Sequence, residues 1–429
     1  MTTEKLAIDG GTPVRTKPFG PRHFIGDPEK EQLIELIDKA PTMWNSGYKR
    51  QEFEDGFAKR HGVKYAVATD SGTGSLHAAV AAVNPEPGDE IITAPATDIG
   101  SVLGIVLQNA IPVFSDWAPG GYLNQSASGI ESRITERTRA IMVIHLFGYP
   151  VDMDAVMDVA RRHDLPVIED CSQAHLSEYK GRLVGTIGDM GCFSLGGKPL
   201  TAGGGGILIT DNEELARRAK GFANKGSEYD EGLRNSLRPT SERQGSSRGY
   251  SFLGDFHPMS DLMAAVGVAQ LGRIDDYVAR RRAAGAIMED VLWEVPGIMP
   301  QKKASPDDRS GFYVHGFSYD EDEVGVSLEQ FSKAVQAEGA PAGGPYIRGM
   351  GLYRYPIFAE ERTYGNSRYP FVDEQGNRRV DYNALHLRVL EEELPKTLTV
   401  GGNSSYTEED ATDIATAIRK VALHYAARR

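Results

Sequence analysis

The stretch AIMVIHLFGYPVDMDAVMDVARRHDLPVIED, residues 140–170, contains two short apolar segments on either side of a segment with a different periodicity. The first, Ala140 to Leu146, is apolar apart from one histidine, as expected for a strand that is buried on both faces of a sheet. Asp152 to Arg162 has helical spacing and begins with a suitable N-cap, and Pro166 to Asp170 forms the next strand. A strand, a helix and a second strand in this order indicate a crossover between parallel strands.

The same alternation of apolar runs and helical segments extends over residues 63–209. It predicts a layered α/β domain built on a large, mostly parallel sheet. The further predicted strands are Lys64–Ala68, Glu90–Ala94 and Ile111–Ser115, and the further predicted helices are Ser75–Val83, Ser101–Gln108 and Asn212–Ala223. The polar stretch Gly226 to Gly249, rich in Ser, Arg and Gly, predicts a mobile loop.

The C-terminal third of the sequence predicts a second, smaller α+β domain. A long helical region from Met259 to about Leu292 leads out of the sheet domain. It is followed by predicted strands near 312–319 and by predicted helices near 328–338 and 408–427. We therefore divide the chain into an N-terminal arm (1–22), a large α/β domain (23–280) and a small C-terminal domain (281–429).

Composition and charge restrict the class of partner. The 429-residue chain carries 47 Lys and Arg against 60 Asp and Glu, a net charge of −13. Such a chain repels nucleic acid, so we expect small-molecule partners. A small phosphate bound at a local positive site remains compatible with the net charge.

Two cysteines are too few for a disulfide framework and suit a reducing compartment. With no signal-peptide pattern and no long apolar run, we expect a cytoplasmic protein with no membrane partner.

The turn Ser71-Gly72-Thr73-Gly74 joins a predicted strand to a predicted helix. Small residues allow an anion to approach the backbone, and the free N–H groups at the helix N-terminus favour phosphate. A turn with two glycines is also common as a purely structural feature, so the turn alone leaves both interpretations open.

Asp170 and Lys198 indicate a function when they are considered together with this turn. Asp170 ends a predicted strand, where ligands bind in open parallel sheets, and Lys198 lies in the glycine-rich segment CFSLGGKPLTAGGGG, residues 192–206. Taken singly, the aspartate could be a helix cap and the lysine a solvated side chain. Together with the turn they describe a site for pyridoxal phosphate: a Schiff-base lysine, an acid for the pyridinium nitrogen and a helix N-terminus for the phosphate. Cys171 and His175 have no third ligand nearby, so we expect no metal site.

These segments resemble the DegT/DnrJ/EryC1/StrS family of pyridoxal phosphate-dependent sugar and cyclitol aminotransferases. The resemblance covers nearly the whole chain. It is carried by LAIDGGTPVR (6–15), SGTGSLHAA (71–79), PGDEIIT (87–93), NAIPVFSD (109–116), residues 135–175, KPLTAGGGG (198–206), MSDLMAAVGVAQL (259–271) and YTEEDATDIATAIRKV (406–421). It implies the fold-type I architecture of aspartate aminotransferase, with a large mostly parallel sheet domain and a smaller α+β domain. It also implies a homodimer whose active sites lie near the subunit interface.

The resemblance implies that seven residues contact the cofactor and that two of them, Lys198 and Asp170, are catalytic. The seven are Gly72, Thr73, Gly74 and Ser194 at the phosphate, Asp170 at the ring nitrogen, Gln173 beside the ring hydroxyl and Lys198 for the Schiff base. The implied reaction moves an amino group from glutamate or glutamine to a keto-sugar or ketocyclitol, as in aminosugar, aminocyclitol or antibiotic biosynthesis.

The sequence departs from its relatives at four places. Gly204 stands where relatives usually place an acid in the glycine run. Ser194 and Lys198 are four residues apart rather than the usual five. Asp98 occupies the position of an aromatic residue that stacks on the cofactor ring, and Phe-His-Pro-Met (256–259) replaces Asn-Tyr-Arg-Met, whose arginine often serves the partner subunit's site.

These departures leave three hypotheses. The first is a conventional aminotransferase that contacts its amino donor differently. The second is another pyridoxal phosphate reaction such as sugar dehydration, although the best-known dehydratase variant lacks the lysine that is retained here as Lys198. The third is a catalytically silent family member, against which Lys198, Asp170 and Gln173 all argue.

The residues that would bind the amino acceptor are less clearly indicated. Tyr346, Arg348, Tyr353 and Arg354 lie in and beside a glycine-rich stretch where relatives form part of the substrate entrance. Tyrosine and arginine suit ligands rich in hydroxyl groups or phosphate, but such a loop could equally be solvated surface. The loop 226–249 could cover the partner subunit's site, and its composition fits disorder as well.

Overall fold

The computed structural model describes residues 4–39, 48–229 and 247–428, and its larger sheet has seven strands. The strands up to residue 210 are β1 (Tyr65–Thr69), β2 (Glu90–Thr93), β3 (Ile111–Phe114), β4 (Thr138–Ile144), β5 (Val167–Asp170), β6 (Glu178–Tyr179), β7 (Arg182–Leu183), β8 (Met190–Ser194) and β9 (Gly206–Thr210). The sheet order is β1-β9-β8-β5-β4-β2-β3, and β6 pairs with β7 in a separate hairpin. All strands of the sheet run parallel except β9, which is antiparallel to both of its neighbours.

Helices follow most of these strands. They are α1 (Asp27–Lys39), α2 (Tyr48–His61), α3 (Gly72–Val83), α4 (Gly100–Leu107), α5 (Ala127–Glu131), α6 (Met153–Arg162), α7 (Glu213–Phe222), α8 (Asp261–Leu271) and α9 (Ile274–Leu292). The predicted N-cap of α6 is confirmed, since Asp152 accepts a hydrogen bond from the Ala155 N–H group. Asn212 caps α7 in the same way. Local sequence signals therefore define where these helices begin.

The strand β4 shows why the sheet is buried on both faces. Its alternate residues contribute to two separate apolar clusters: Ile141 and Val143 pack on one side, and Met142 and Ile144 on the other. Each of these side chains is at most 2% exposed. Helices cover both faces, as the continuous apolar run predicts. The layered α/β class is thus confirmed.

A second sheet of four antiparallel strands follows in the chain. Its strands are β12 (Ile298–Pro300), β13 (Val314–Tyr319), β14 (Ala342–Gly343) and β15 (Thr397–Gly401), in the order β12-β13-β15-β14. Its helices are α10 (Glu321–Val324), α11 (Leu328–Ala337), α12 (Pro356–Ala359), α13 (Arg388–Glu393) and α14 (Glu408–Ala426). The smaller α+β unit is thereby confirmed as a fold element. None of the helices among the described residues is long and apolar enough to cross a lipid bilayer.

The described part of the N-terminal arm packs on this smaller unit. Leu6 is fully buried in its apolar cluster, and the backbone N–H groups of Ala7 and Val14 donate to the Glu338 carboxylate. Arg15 pairs with Asp410 at 2.5 Å. Residues 6–15 of the arm are therefore fixed to the smaller unit.

The structure refines the predicted bounds of the long helical region and of the polar loop. The helical region from Met259 is not continuous, because α8 ends at Leu271 and α9 starts at Ile274. The proposed domain boundary near residue 280 falls inside α9, and the division into 1–22, 23–280 and 281–429 stays a prediction. Of the predicted mobile loop, β10 (Ser227–Tyr229) and β11 (Ser247–Tyr250) pair as a short ladder, and residues 230–246 lie outside the described residues.

Candidate active site

The carboxyl ends of β1, β5 and β8 meet at one edge of the large sheet. β1 ends at Thr69, just before the predicted phosphate turn, β5 ends at Asp170 and β8 ends at Ser194. Because these strands are parallel, the residues that follow them lie together. This edge is the candidate active site.

The turn after β1 forms the N-terminus of α3. Gly72 is the first residue of the helix, and the Ser71 hydroxyl accepts a hydrogen bond from the Gly74 N–H group at 3.0 Å. The first N–H groups of a helix have no acceptor within the helix, and its dipole favours an anion there. Gly72, Thr73 and Gly74 are therefore placed as an anion-binding turn requires.

Ser194 borders the same turn. A methyl group built on Gly72 would lie 2.5 Å from the Ser194 Cβ atom and 2.9 Å from its hydroxyl oxygen. Only glycine fits at residue 72, and the Ser194 hydroxyl lies beside the helix N-terminus. The shorter spacing to Lys198 has not moved this serine away from the turn.

Asp170 is held by two hydrogen bonds. The Ser101 hydroxyl donates to its Oδ2 atom at 2.6 Å, and the Ser172 N–H group donates to Oδ1 at 2.9 Å. Asp170 is 3% exposed, and Ser101 is itself bonded to the Thr97 hydroxyl. The carboxylate is thus buried and fixed in direction. Sequence reasoning missed Ser101, whose only signal is its position in the first turn of the helix that follows β2.

The residue before Asp170 anchors the end of β5. Glu169 is fully buried and accepts hydrogen bonds from His145 Nε2 and from the N–H groups of Gly185, Ile187 and Gly188. Burial alone would raise the pKa of Glu169, but the interaction with His145 and these N–H donors lower it. The His145 Nδ1 atom accepts from the Val151 N–H group. These groups satisfy one another and hold β5 in place.

Gln173 connects the edge of the sheet to the smaller unit. Its amide oxygen accepts from the Phe147 N–H group at 2.9 Å, and its amide nitrogen donates to the Tyr346 hydroxyl at 3.1 Å. Burial raises the pKa of Tyr346, so this hydroxyl stays neutral. The Tyr346 ring packs edge-on against Phe147. The sequence-predicted Tyr346 therefore lies at the site.

The other three residues of that predicted substrate entrance have different surroundings. Tyr353 is fully buried and its hydroxyl donates to Glu391 at 2.6 Å. Arg354 pairs with the same carboxylate at 2.8 Å. Arg348 lies in a turn with φ of +59°, a left-handed conformation, immediately after Tyr346 and Ile347.

Lys198 lies in the loop between β8 and β9. Its Nζ atom is 4.1 Å from the centre of the Tyr313 ring, and the Arg22 guanidinium carbon is 5.1 Å from the same centre. Burial alone would raise the pKa of Tyr313, but the charges of Lys198 and Arg22, and hydrogen bonds with both, lower it. His175, below this loop, is buried, which lowers its pKa to about 3, so it is neutral when its Nε2 atom bonds the Ser194 carbonyl. Tyr313 and Arg22 were not found by sequence reasoning.

The glycine run after Lys198 has a conformational cause. Gly203, Gly204 and Gly205 have φ of +75°, +146° and +94°, which side chains rarely adopt. A Cβ atom on Gly204 would meet only the Met263 side chain, at 3.4 Å. The backbone conformation, rather than lack of space, accounts for glycine at this position.

His257, in the segment that departs from relatives, is tied to the start of the turn. Its Nδ1 atom lies 3.3 Å from Asp70, and its Nε2 atom lies 3.1 Å from Asp255. The hydrogen bond with Asp70 raises the pKa of His257, although burial opposes the shift. Asp98, the other departure, is exposed and accepts from the Gly100 N–H group at 2.8 Å.

Known proteins are similar to this chain in sequence and in fold. A family model described as the DegT/DnrJ/EryC1/StrS aminotransferase family matches residues 25–386. L-glutamine:2-deoxy-scyllo-inosose aminotransferases from Streptoalloteichus tenebrarius and Streptomyces paromomycinus are each 33% identical, over 98% of this chain and 98% of the relative. The crystal structure of an aminotransferase from Psychrobacter cryohalolentis superposes with a TM-score of 0.81 at 28% identity, covering 95% of this chain and 100% of that one.

Proposed function

Because the chain belongs to the DegT/DnrJ/EryC1/StrS aminotransferase family, we propose that it transfers an amino group from L-glutamine or L-glutamate to a keto-sugar or ketocyclitol. The donor follows from the two relatives named as L-glutamine aminotransferases, and the acceptor class from their scyllo-inosose substrate. The relatives named as aminotransferases do not favour a dehydratase or a catalytically silent protein. The chain is an aminotransferase.

The cofactor we propose is pyridoxal 5'-phosphate, and the edge of the sheet fits it. The observation that carries the proposal is the cradle at Gly72, where any side chain would collide with Ser194 and where a phosphate can approach the helix N-terminus. The buried Asp170 carboxylate, fixed by Ser101, suits a protonated ring nitrogen. Gln173 would lie beside the ring hydroxyl.

When bound, pyridoxal phosphate supplies an electron sink that stabilises negative charge on the carbon next to the amine. Asp170 would hold the proton on the ring nitrogen. Lys198 would carry the covalent link through Nζ and, once the amino donor has released it, accept the proton from the donor's α-carbon. Positioned proton transfer of this kind typically contributes about 10²- to 10⁴-fold in rate.

We also propose that the chain works as a homodimer. Apolar side chains are exposed around the segment after β11: Tyr250 is 76%, Leu253 93% and Phe256 44% exposed. Exposed large apolar side chains that are close together in the sequence are consistent with a subunit interface. A dimer in solution would support this proposal. The cytoplasmic location of the protein is a separate prediction.

The test of function uses the purified enzyme with added pyridoxal phosphate. We expect a yellow protein in which borohydride attaches the cofactor to Lys198, and conversion of the cofactor to its amino form when L-glutamine or L-glutamate is added. Lys198→Ala should lose both properties. If no amino acid in a donor panel converts the cofactor, the aminotransferase proposal is wrong.

A further inference from the structure

Three positively charged side chains surround one tyrosine at the candidate site. Lys198 and Arg22 lie on the Tyr313 ring at 4.1 and 5.1 Å from its centre. Arg281 donates a hydrogen bond to the carbonyl of the preceding residue, Phe312, at 3.1 Å. The charges of Arg22 and Arg281, together with burial, lower the pKa of the adjacent His23, so no further positive charge is added there.

No acidic side chain among residues 4–39, 48–229 and 247–428 balances this charge. Carboxylate oxygens of the described residues lie more than 4 Å from the side-chain nitrogens of Lys198, Arg22 and Arg281. Arg281 is fully buried, and within the described chain its Nη2 atom lacks a hydrogen-bond partner. Like charges packed together without a counter-ion are unfavourable, so the cluster is suited to an anion.

The position of Lys198 narrows the choice of anion. The cofactor phosphate has its own place at Gly72 and Ser194, on the N-terminus of α3. The amino donor must bring its amine to Lys198, and in an α-amino acid the carboxylate is attached to the carbon that carries the amine. A donor in position therefore places its α-carboxylate within a few ångströms of Lys198.

The segment that supplies an arginine in relatives does not do so here. His257 stands in that segment, and it is bound to Asp70 and Asp255. Arg22, in contrast, is exposed and has no acidic partner within the described residues. A guanidinium group binds a carboxylate through two parallel hydrogen bonds.

We propose that Arg22, held at the Tyr313 ring that Lys198 also contacts, binds the α-carboxylate of the amino donor. The inference rests on the proposed aminotransferase function and assigns the donor subsite to the N-terminal arm of the same chain. Arg22 is the binding residue and Tyr313 is a positioning residue. The buried Arg281 adds a fixed positive charge below the subsite.

The test compares Arg22→Gln with the wild type, using L-glutamine and its decarboxylated analogue 4-aminobutanamide as donors. Loss of a charged hydrogen bond predicts an increase in the KM for L-glutamine of about tenfold to a hundredfold. We expect kcat and the KM for the acceptor to change less than about threefold, since Arg22 makes no contact with the reacting carbon. The preference for L-glutamine over the analogue should fall by the same factor as the KM rises.

Control variants test whether the effect on the amino donor is specific to Arg22. Lys17→Gln removes an exposed charge from the same arm, 3.9 Å from Glu409, and should behave as wild type. Arg22→Lys should recover part of the donor preference. In the cofactor-free protein, Arg22→Gln should raise the pKa of Tyr313, measured by ultraviolet titration against Tyr313→Phe.

Two results would overturn the inference while leaving the enzyme's function intact. One is an active Arg22→Gln enzyme with an unchanged KM for L-glutamine. The other is an unchanged preference for L-glutamine over 4-aminobutanamide. Failure of the wild type itself to react with any amino acid is a different result, and it would contradict the proposed function.

Discussion

Gly72 and Ser194 lie so close together that a single methyl group on the glycine would stand 2.5 Å from the serine Cβ atom. Gly72 begins α3 and Ser194 ends β8, so the contact joins the phosphate turn to the strand that leads to Lys198. The two residues are 122 positions apart in the sequence, and Gly72 could not carry a side chain unless Ser194 or the backbone moved.

The first prediction concerns this contact. Gly72→Ala should weaken pyridoxal phosphate binding by about fivefold to 150-fold, because overpacking costs roughly 1–3 kcal/mol and must displace either Ser194 or the helix N-terminus. Titration of the cofactor followed by absorbance measures the affinity. Gly401→Ala is the control, since a Cβ atom there meets nothing within 4 Å. Equal affinities for the two variants would contradict the proposed cradle.

The second prediction concerns the residue that orients Asp170. Ser101→Ala removes the 2.6 Å hydrogen bond to Oδ2 and should lower kcat about tenfold, the value of one hydrogen bond to a charged group. Asp170→Asn should lower kcat further. The pH dependence of the cofactor absorption band should shift in Ser101→Ala, because the Asp170 carboxylate would lose a hydrogen bond that fixes its direction toward the ring nitrogen. Ser132→Ala, whose exposed hydroxyl bonds only Gly129, should show neither change.

The third prediction concerns His257 and pH. Asp70 raises the pKa of His257 in the folded protein, so the protonated form stabilises the fold. This contribution is fully present below the unfolded value of about 6.5 and is lost as the pH rises through the folded value. Melting temperatures of wild type and His257→Gln should therefore differ most at acidic pH and converge above neutrality. A constant difference from pH 5.5 to 8.5 would exclude the pairing with Asp70.

The fourth prediction concerns buried histidines whose pKa is shifted in the opposite direction to that of His257. Burial lowers the pKa of His61 to about 4 and that of His175 and His315 to about 3. Above about pH 6.5 these histidines are neutral in both the folded and the unfolded chain, and stability is not reduced. As the pH falls, the unfolded chain binds protons that the folded chain does not, which lowers the free energy of unfolding by about 2 kcal/mol at pH 5 for a histidine whose pKa is shifted to 4. His61→Phe, which keeps the ring packed against Phe57, should reduce the loss of stability between pH 7.5 and 5.0 in denaturant titrations. An unchanged pH dependence would count against this origin.

Much of the site could be predicted from sequence because its signals are local. The glycines at 72 and 74, an acid ending a strand at Asp170 and a lysine among glycines at 198 each carry a short-range pattern. The fold class followed in the same way from the apolar runs. These residues are recognised without knowing what they touch.

The partners of these residues could not be predicted, because they come from distant parts of the chain. Ser101 is 69 residues from Asp170, and Tyr346 is 173 residues from Gln173. Tyr313, 115 residues after Lys198 in the sequence, contacts both Lys198 and the N-terminal Arg22. A serine in a helix or an arginine in an arm has no distinctive local pattern, and only the topology gives it a role.

The reversed strand β9 bears on the length of the loop that carries Lys198. Because β9 returns beside β8, the loop that carries Lys198 is closed at its base, where Ser194 pairs with Gly206. A residue lost between Ser194 and Lys198 shortens that loop but leaves the strand pairing at its base unchanged. The entropy of closing a loop varies only slowly with the number of residues in it. The same deletion in a crossover helix would rotate every following side chain by about 100°. A lysine loop that is one residue shorter is therefore compatible with an unchanged register between β8 and β9.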